Sequence, residues 1–148
     1  MRGFRTRIEL PLARERLFPF FADAGNLEVL TPPELRFRVI TPRPIEMREG
    51  ALIEYRLRLM GVPFAWLTRI AVWDPPQEFV DEQLKGPYRR WVHKHLFVET
   101  SFGTRMHDAV EYELPLFPVG ELAGPLVDWQ VRRIFRYREI ALKRALGV

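Results

Sequence analysis

Two histidines separated by one residue, His93 and His95, have the clearest capacity for chemistry in the sequence. Side chains two positions apart on a strand project from the same face, so both imidazoles are expected to point in one direction. Asp81 and Asp108 occupy the corresponding inward positions of the two neighbouring predicted strands. Because a His–Asp pair can hold or transfer a proton near neutral pH, this group predicts either a structural hydrogen-bond network or the polar floor of a binding pocket.

Other candidate site residues share these predicted faces. Gln83 follows Asp81 by two positions, and Arg138 lies near the apolar stripe of the last predicted helix, where it could meet a carboxylate. Polar groups in an interior are costly unless they are paired, so we expect these residues to bond one another or a ligand. Large side chains among them are expected to form the apolar wall of the pocket: Tyr55, Trp66, Trp91, Phe97 and Met106.

Catalysis and metal binding are weaker interpretations of the same residues. A metal site could combine His93, His95 and one aspartate. Hydrogen-bonded histidines are the simpler interpretation of a His-x-His spacing, so we predict no metal and no other cofactor. Acid–base catalysis stays open, whereas nucleophilic catalysis is not expected, because the chain has no cysteine and its only serine, Ser101, lies in a predicted turn.

The elements that position these residues follow from hydrophobic periodicity. Alternation predicts a strand at 3–10, followed by a helix at 13–22, which Pro19 is expected to kink or shorten, and by a helical turn at 26–30. Later period-two segments predict strands at 37–41, 53–59, 66–73, 78–84, 89–98 and 104–114.

The turns and the last helix complete this pattern. Gly61-Val62-Pro63 is interpreted as the turn after the strand at 53–59. A period of 3.6 residues then predicts a helix from about Pro125 to Leu146, stopped by Gly147. Consecutive strands with short turns, covered by one long helix, indicate an α+β domain with a curved antiparallel sheet of about six or seven strands.

Length and composition are those of one globular domain. The 148 residues are 47% hydrophobic and 28% charged, and a chain of this size buries enough surface for a core and a cavity. The sequence contains no apolar run long enough to span a membrane, and its start does not resemble a signal peptide. We therefore predict a single cytoplasmic domain over residues 1–148.

The charge balance is basic, with a net charge of +4 and a pI near 9.8. The excess is mainly arginine, which together with 13 prolines and no cysteine suggests a thermophilic source. The arginines follow no nucleic-acid-binding motif, so we predict no nucleic acid partner. Transient contact with an acidic membrane surface stays open, because four arginines are expected on the outer side of the last helix: Arg132, Arg133, Arg136 and Arg144.

Several segments also resemble a known superfamily. They are Thr31-Pro32, Phe79 to Gln83, Gly86-Pro87-Tyr88, Trp91 to Phe97, Gly103-Thr104, Asp108, Tyr112 to Pro115 and Ile134 to Arg138. These segments are similar to a bacterial branch of the START-related ligand-binding superfamily (SRPBCC), whose relatives include polyketide cyclases, lipid-transfer START domains and coenzyme-Q-binding proteins. The resemblance implies a helix-grip fold, in which a curved sheet wraps a C-terminal helix around a deep cavity. It implies no catalytic set, because members range from carriers to enzymes.

The function predicted from the sequence is binding of a small hydrophobic or aromatic molecule between the sheet and the last helix. A lipid, an isoprenoid quinone or a polyketide-like compound would suit such a cavity. One alternative is a cyclase or dehydratase that uses the His and Asp side chains. The other is a protein-interaction module, which an exposed apolar patch near Phe64 or Leu116-Phe117 would favour. The oligomeric state is not predicted.

Overall fold

The computed structural model describes residues Met1–Val148. Seven strands build one sheet: β1 (Arg2–Leu10), β2 (Arg38–Val39), β3 (Leu52–Leu59), β4 (Val62–Asp74), β5 (Glu78–Lys85), β6 (Arg90–Glu99) and β7 (Thr104–Glu113). Three α-helices accompany it: α1 (Arg14–Ala22), α2 (Asn26–Val29) and α3 (Gly124–Leu146). Short 3₁₀ turns occupy Pro33–Leu35 and Val119–Ala123. The predicted α+β class and helix-grip architecture are confirmed.

The sheet is an antiparallel meander in which β2 to β7 are neighbours in chain order and β1 pairs with β7. Strand β1 pairs with β7 over its whole length, with Arg2 opposite Tyr112 at one end and Leu10 opposite Thr104 at the other. Register shifts interrupt the β4–β5 ladder near Leu67 and again after Ile70. Such irregularities bend a strand and increase its twist, so the sheet curves and presents a concave face to α3.

Helix α3 forms because its apolar residues recur at helical spacing. Val131, Phe135 and Leu142 are buried on the side that faces the sheet. Gly147 ends the helix with a left-handed backbone (φ 72°), and its N–H donates to the carbonyl of Arg144. The predicted helix is therefore correct to within one residue at its start. No helix of the protein is both long and apolar enough to cross a lipid bilayer.

Three apolar cores pack against the sheet, and the two larger ones include residues of α3. In the first, α1 and the end of α3 pack on the sheet through Phe18, Phe21 and Leu142. In the second, Val131 and Phe135 of α3 pack near Tyr112. Burial of each such side chain contributes about 1.5–3 kcal/mol. The cores hold both ends of α3 against the sheet, and a cavity remains between them.

Three details differ from the sequence prediction. The β3–β4 turn consists of Met60 and Gly61, both with positive φ, so Val62 and Pro63 already belong to β4. Two residues with positive φ form the tight hairpin whose twist matches that of the flanking strands. Strand β2 is only two residues long. Helix α1 continues past Pro19 to Ala22, so the proline does not end it.

Candidate ligand cavity and its polar floor

The cavity lies between the concave face of the sheet and α3. Its volume is about 140 Å³, measured as the space open to the centres of water-sized spheres, and 16 of its 22 lining residues are hydrophobic. Large aromatic side chains dominate the wall: Phe21, Phe37, Tyr55, Trp66, Phe79, Tyr88, Trp91 and Phe135. Mostly apolar walls with a few convergent polar groups are typical of small-molecule sites.

The floor of the cavity is formed by two histidines between two carboxylates. His93 Nε2 donates to Asp108 Oδ1 at 2.7 Å, and His95 Nε2 donates to Asp81 Oδ2 at 2.7 Å. The second nitrogen of each ring faces the other carboxylate, at 3.8 Å for His93 and 3.3 Å for His95. Asp108 is 1% exposed and lies beneath the histidines, whereas the side chain of Asp81 is 18% exposed and reaches the cavity.

Burial and pairing set the charge of this group. Burial acts to raise the pKa of Asp108, but the hydrogen bond from His93 and the nearby His95 lower it well below its ordinary value. Asp81 follows the same pattern, with burial opposed by the hydrogen bond from His95. Burial lowers the pKa of His93, and the neighbouring His95 ring lowers it further, against the effect of the carboxylates. At neutral pH both aspartates are therefore ionised and His93 is neutral.

Arg138 of α3 also lines the cavity and lacks a carboxylate partner at salt-bridge distance. Its Nε and Nη2 atoms are buried without a hydrogen bond, and its guanidinium carbon lies 5.7 Å from the ring centroid of Phe21. Its charge helps to lower the pKa values of Asp81 and Asp108. The expected direct pairing of Arg138 with a carboxylate is therefore wrong, and its donors remain available to a molecule in the cavity.

A second polar pair lies on the wall formed by β3 and β4. The hydroxyls of Tyr55 and Thr68 are 2.5 Å apart. Burial raises the pKa of Tyr55 above its ordinary value, so its phenol keeps its proton. Both residues line the cavity, which gives a ligand a hydroxyl contact in addition to the floor.

The floor also meets a geometric condition for metal binding, because Asp81, His93 and His95 bring one ligand atom each within 4.8 Å of one another. However, the rings of His93 and His95 lie against each other, with centroids 3.6 Å apart and planes tilted by 31°. Imidazole ligands of one metal ion usually approach it from separate directions. Hydrogen bonding to Asp81 and Asp108 accounts for the arrangement of both rings without an ion.

The structure places seven of the eleven predicted site residues on the cavity wall. They are Tyr55, Trp66, Asp81, Trp91, His93, His95 and Arg138. The other four lie elsewhere, for different reasons. Asp108 supports the histidines from below. Phe97 and Met106 are fully buried in the core beneath α1.

Gln83 is the fourth exception. Its amide nitrogen donates to the carbonyl of Tyr88, and its amide oxygen accepts from the Tyr88 N–H. It therefore holds the β5–β6 turn rather than facing the cavity. Alternation alone predicts the face of a strand, but it does not separate residues under α1 from residues under the cavity.

Sequence reasoning missed several wall residues. Thr68 is the polar residue in an otherwise apolar inward row of β4, and that contrast could have singled it out. Tyr88 lies in a turn, Leu35 ends the 3₁₀ turn Pro33–Leu35, and Phe37 lies in the irregular chain before β2. No periodicity identifies such positions, because the chain between α2 and β3 is mostly irregular.

Comparisons with known proteins support the fold. No family model matches the sequence, and no curated protein matches it. Among solved structures, protein Ms6760 from Mycobacterium smegmatis has a TM-score of 0.72 at 20% identity, covering 98% of this chain and 90% of its own. Protein TTHA0849 from Thermus thermophilus has a TM-score of 0.67 at 24% identity, covering 97% and 99%.

A START superfamily protein from Mycobacterium smegmatis is also similar, with a TM-score of 0.69 at 11% identity over 97% of this chain and 98% of its own. The chain therefore has the START-like helix-grip fold, and the resemblance found in the sequence is confirmed at the level of the fold. At these identities the comparisons say nothing of a particular ligand or reaction.

Proposed function

We propose that the protein binds a small, neutral, amphiphilic molecule in the cavity between the sheet and α3. The observation that carries this proposal is the division of the cavity into aromatic walls and a charged floor. Such a division orients a ligand, because its apolar part is favoured against Trp66 and Trp91 while a polar head is favoured at Asp81 and Arg138. The START-like fold supports the same interpretation.

The size of the cavity limits the part of the ligand that it holds. A volume of 140 Å³ is close to that of an engineered cavity of about 150 Å³ that holds benzene, so the enclosed part of a ligand is about one aromatic ring. A ring or a short chain fits this space, and the rest of a larger ligand extends beyond it. An isoprenoid quinone or another lipid would place its head inside and extend its tail beyond the cavity.

The charges of the floor favour a neutral head. Asp81 is ionised and its carboxylate reaches the cavity. A ligand carboxylate would therefore lie beside a like charge in a buried site, which is costly. A carbonyl can accept from Arg138 and a hydroxyl can donate to Asp81, so quinone-like, phenolic or polyketide-like heads suit the site.

Titration with naphthalene, naphthol and naphthoate tests this proposal, because the three probes share one apolar body. Tryptophan fluorescence reports binding at Trp66 and Trp91. We expect naphthol to bind at least about tenfold more tightly than naphthoate, a difference of about 1.4 kcal/mol. Trp91→Ala should weaken all three probes, whereas Trp129→Ala, which alters an exposed residue outside the cavity, should weaken none.

Two results would contradict the proposal in different ways. If no probe binds, the cavity is not a small-molecule site. If naphthoate binds most tightly, the cavity binds ligands but the argument for a neutral head is wrong. Asp81→Ala removes the acceptor of the naphthol hydroxyl, so it should abolish the preference for naphthol over naphthalene while leaving naphthalene binding intact.

Acid–base catalysis is a second candidate, favoured by one contact. Asp81 reaches the cavity while it accepts a hydrogen bond from His95, so the pair could take a proton from a bound carbonyl compound. A cyclase or dehydratase would need this step, whereas a carrier would not. His95→Gln would abolish turnover in the enzyme, but it would leave the probe affinities of a carrier within about threefold.

A further inference from the structure

Large apolar side chains are exposed together at one end of the molecule, which we call the loop end. It consists of the β3–β4 turn, the β5–β6 turn and the segment from β7 to α3. Leu116 is 79% exposed, Phe117 72% and Leu122 85%. Further exposed apolar residues at this end are Met60, Val62, Leu84, Val119, Leu126 and Trp129.

The strand register places these segments side by side. The end of β7 pairs with the starts of β1 and β6, since Tyr112 lies opposite both Arg2 and Trp91. Arg2 also bonds Asp128 of α3 at 2.6 Å, which holds the start of the helix at the same end. Apolar patches of this extent are unusual on a monomeric soluble protein and mark an interaction surface.

The loop end adjoins the cavity. Leu59, the last residue of β3, lines the cavity, and the next residue, Met60, is exposed in the turn. Tyr88 in the β5–β6 turn lines the cavity as well. A partner at this surface would therefore lie beside the cavity.

Cations surround the apolar side chains of the loop end. Arg89 pairs with Glu113 and Arg133 pairs with Glu34. Other exposed cations close to them have no carboxylate partner: Lys85, Arg90, Arg132 and Arg136. On α3 the outward residues change along one stripe from Leu126 and Trp129 to Arg133 and Arg136. Arg133 follows Trp129 by about 6 Å along the helix axis.

A second group of cations lies next to the β3–β4 turn. Arg38 and Arg56 are directly opposite each other on β2 and β3, although facing like charges are destabilising. Together with Arg36 and Arg58 they line a groove beside Phe64. Among these four arginines only Arg56 has a carboxylate nearby, Glu54 at 3.4 Å. This arrangement is stabilised if an anion binds between the arginines.

We propose that the loop end binds the surface of an anionic lipid bilayer. Leu116, Phe117 and Leu122 enter the interface, and the surrounding arginines contact the phosphates of the head groups. The excess of unpaired positive charge favours this partner over a second copy of the chain, whose loop end would carry the same charges. The idea that the membrane supplies the cavity ligand rests on the proposed function. The proposal that the loop end binds a membrane does not depend on it.

Sedimentation with lipid vesicles tests the inference without any cavity ligand. The probes are vesicles of phosphatidylcholine and vesicles of equal parts phosphatidylcholine and phosphatidylglycerol. We expect binding to the mixed vesicles to be at least about tenfold tighter than to phosphatidylcholine alone. The double change Leu116→Ser with Phe117→Ser should reduce binding about tenfold or more. Phe102→Ser removes an equally exposed aromatic side chain at the opposite end, in the β6–β7 turn, and should have no effect.

A spectroscopic readout locates the contact. Trp129 is 58% exposed, so entry into the lipid interface should shift its emission to shorter wavelength. That shift should be absent in Trp129→Phe, which keeps an aromatic ring on the surface. The arginine groove is tested by Arg38→Glu with Arg58→Glu, with Arg7→Glu on the outer face of β1 as the matched control.

The inference is overturned if the protein sediments with neither kind of vesicle, or if Phe102→Ser weakens binding as much as the double change does. Equal binding to both vesicles would overturn the role of anionic lipid. Light scattering tests the alternative that a second copy of the chain occupies this surface. A protein that does not bind vesicles, and that forms a dimer which the double change converts to monomers, would assign the surface to a second copy. Because no cavity ligand is added, none of these results depends on whether naphthol binds.

Discussion

The rings of His93 and His95 lie with their centroids 3.6 Å apart and their planes tilted by 31°, and both rings lie between the same two carboxylates. Two imidazolium rings at this distance would repel each other strongly, so the pair accepts one proton more readily than two. The four residues therefore form one coupled group. A change in any member alters the protonation of the others.

Loss of Asp108 should destabilise the fold. Asp108→Ala removes the buried acceptor of the His93 N–H and leaves the positive charge of Arg138 less compensated. Leaving the buried His93 N–H without an acceptor costs about 1–3 kcal/mol, which urea denaturation can measure. Glu111→Ala changes an exposed carboxylate on the same strand and is the matched control. A loss no larger than that of the control would contradict the structural role of Asp108.

Acidification should lower the stability of the protein in two stages. The folded pKa of His93 lies below its ordinary value of 6.5, so below about that pH the unfolded chain takes up a proton that the folded chain does not. The folded pKa values of Asp81 and Asp108 lie below their ordinary value of 3.8, and the stability they contribute is lost as the pH falls through and below that value. Thermal unfolding across this range measures both stages.

His93→Gln should remove the first stage and weaken the second, because His93 helps to lower the pKa values of Asp81 and Asp108. His107→Gln, on the opposite face of β7, should leave both. A melting temperature that rises as the pH falls from 6.5 would show that His93 takes up its proton in the folded state, contrary to the structure.

The hydroxyls of Tyr55 and Thr68 should be energetically coupled. Tyr55→Phe leaves the Thr68 hydroxyl without its partner, which costs about 1–3 kcal/mol. Adding Thr68→Val removes the unpaired group, so the double variant should lose about 1 kcal/mol less than the sum of the single variants. Denaturation of all four proteins completes the cycle, and additive losses would mean that the short contact contributes nothing.

Substitutions of Phe97 and Trp91 should have different effects, the first on the stability of the fold and the second on ligand affinity. Phe97 is 1% exposed in the core beneath α1, so Phe97→Ala should cost about 3–5 kcal/mol and leave naphthol affinity unchanged in the folded protein. Trp91→Ala should change affinity by at least about tenfold at a smaller cost in stability. Reversal of this pattern would place the binding site beneath α1 instead of α3.

The sequence predicted the parts of the fold that depend on periodicity. Alternation along β6 and β7 was sufficient to place His93, His95 and Asp108 on one interior face, because antiparallel neighbours in register share that face. The apolar residues that recur at helical spacing from Val127 to Leu142 predicted α3 in the same way. Both signals are local properties of one element, and for that reason the sequence reveals them.

The cavity itself depends on where the elements cross, which the sequence does not reveal. Phe97 and His95 face the same way on β6, yet only His95 reaches the cavity, because α1 covers the end of the strand where Phe97 lies. The missing partner of Arg138 was also unpredictable. Helical spacing gives the direction of its side chain, but not its distance from the carboxylates.

The pairing of β1 with β7 joins the first strand of the chain to the last. During synthesis β1 emerges first, and its partner emerges only after the rest of the sheet. Until then Ile8 and Leu10 have no strand to lie against, and closing so long a loop has a large entropic cost. A nascent or truncated chain that stops before β7 therefore exposes an unpaired apolar strand, which makes it prone to aggregation.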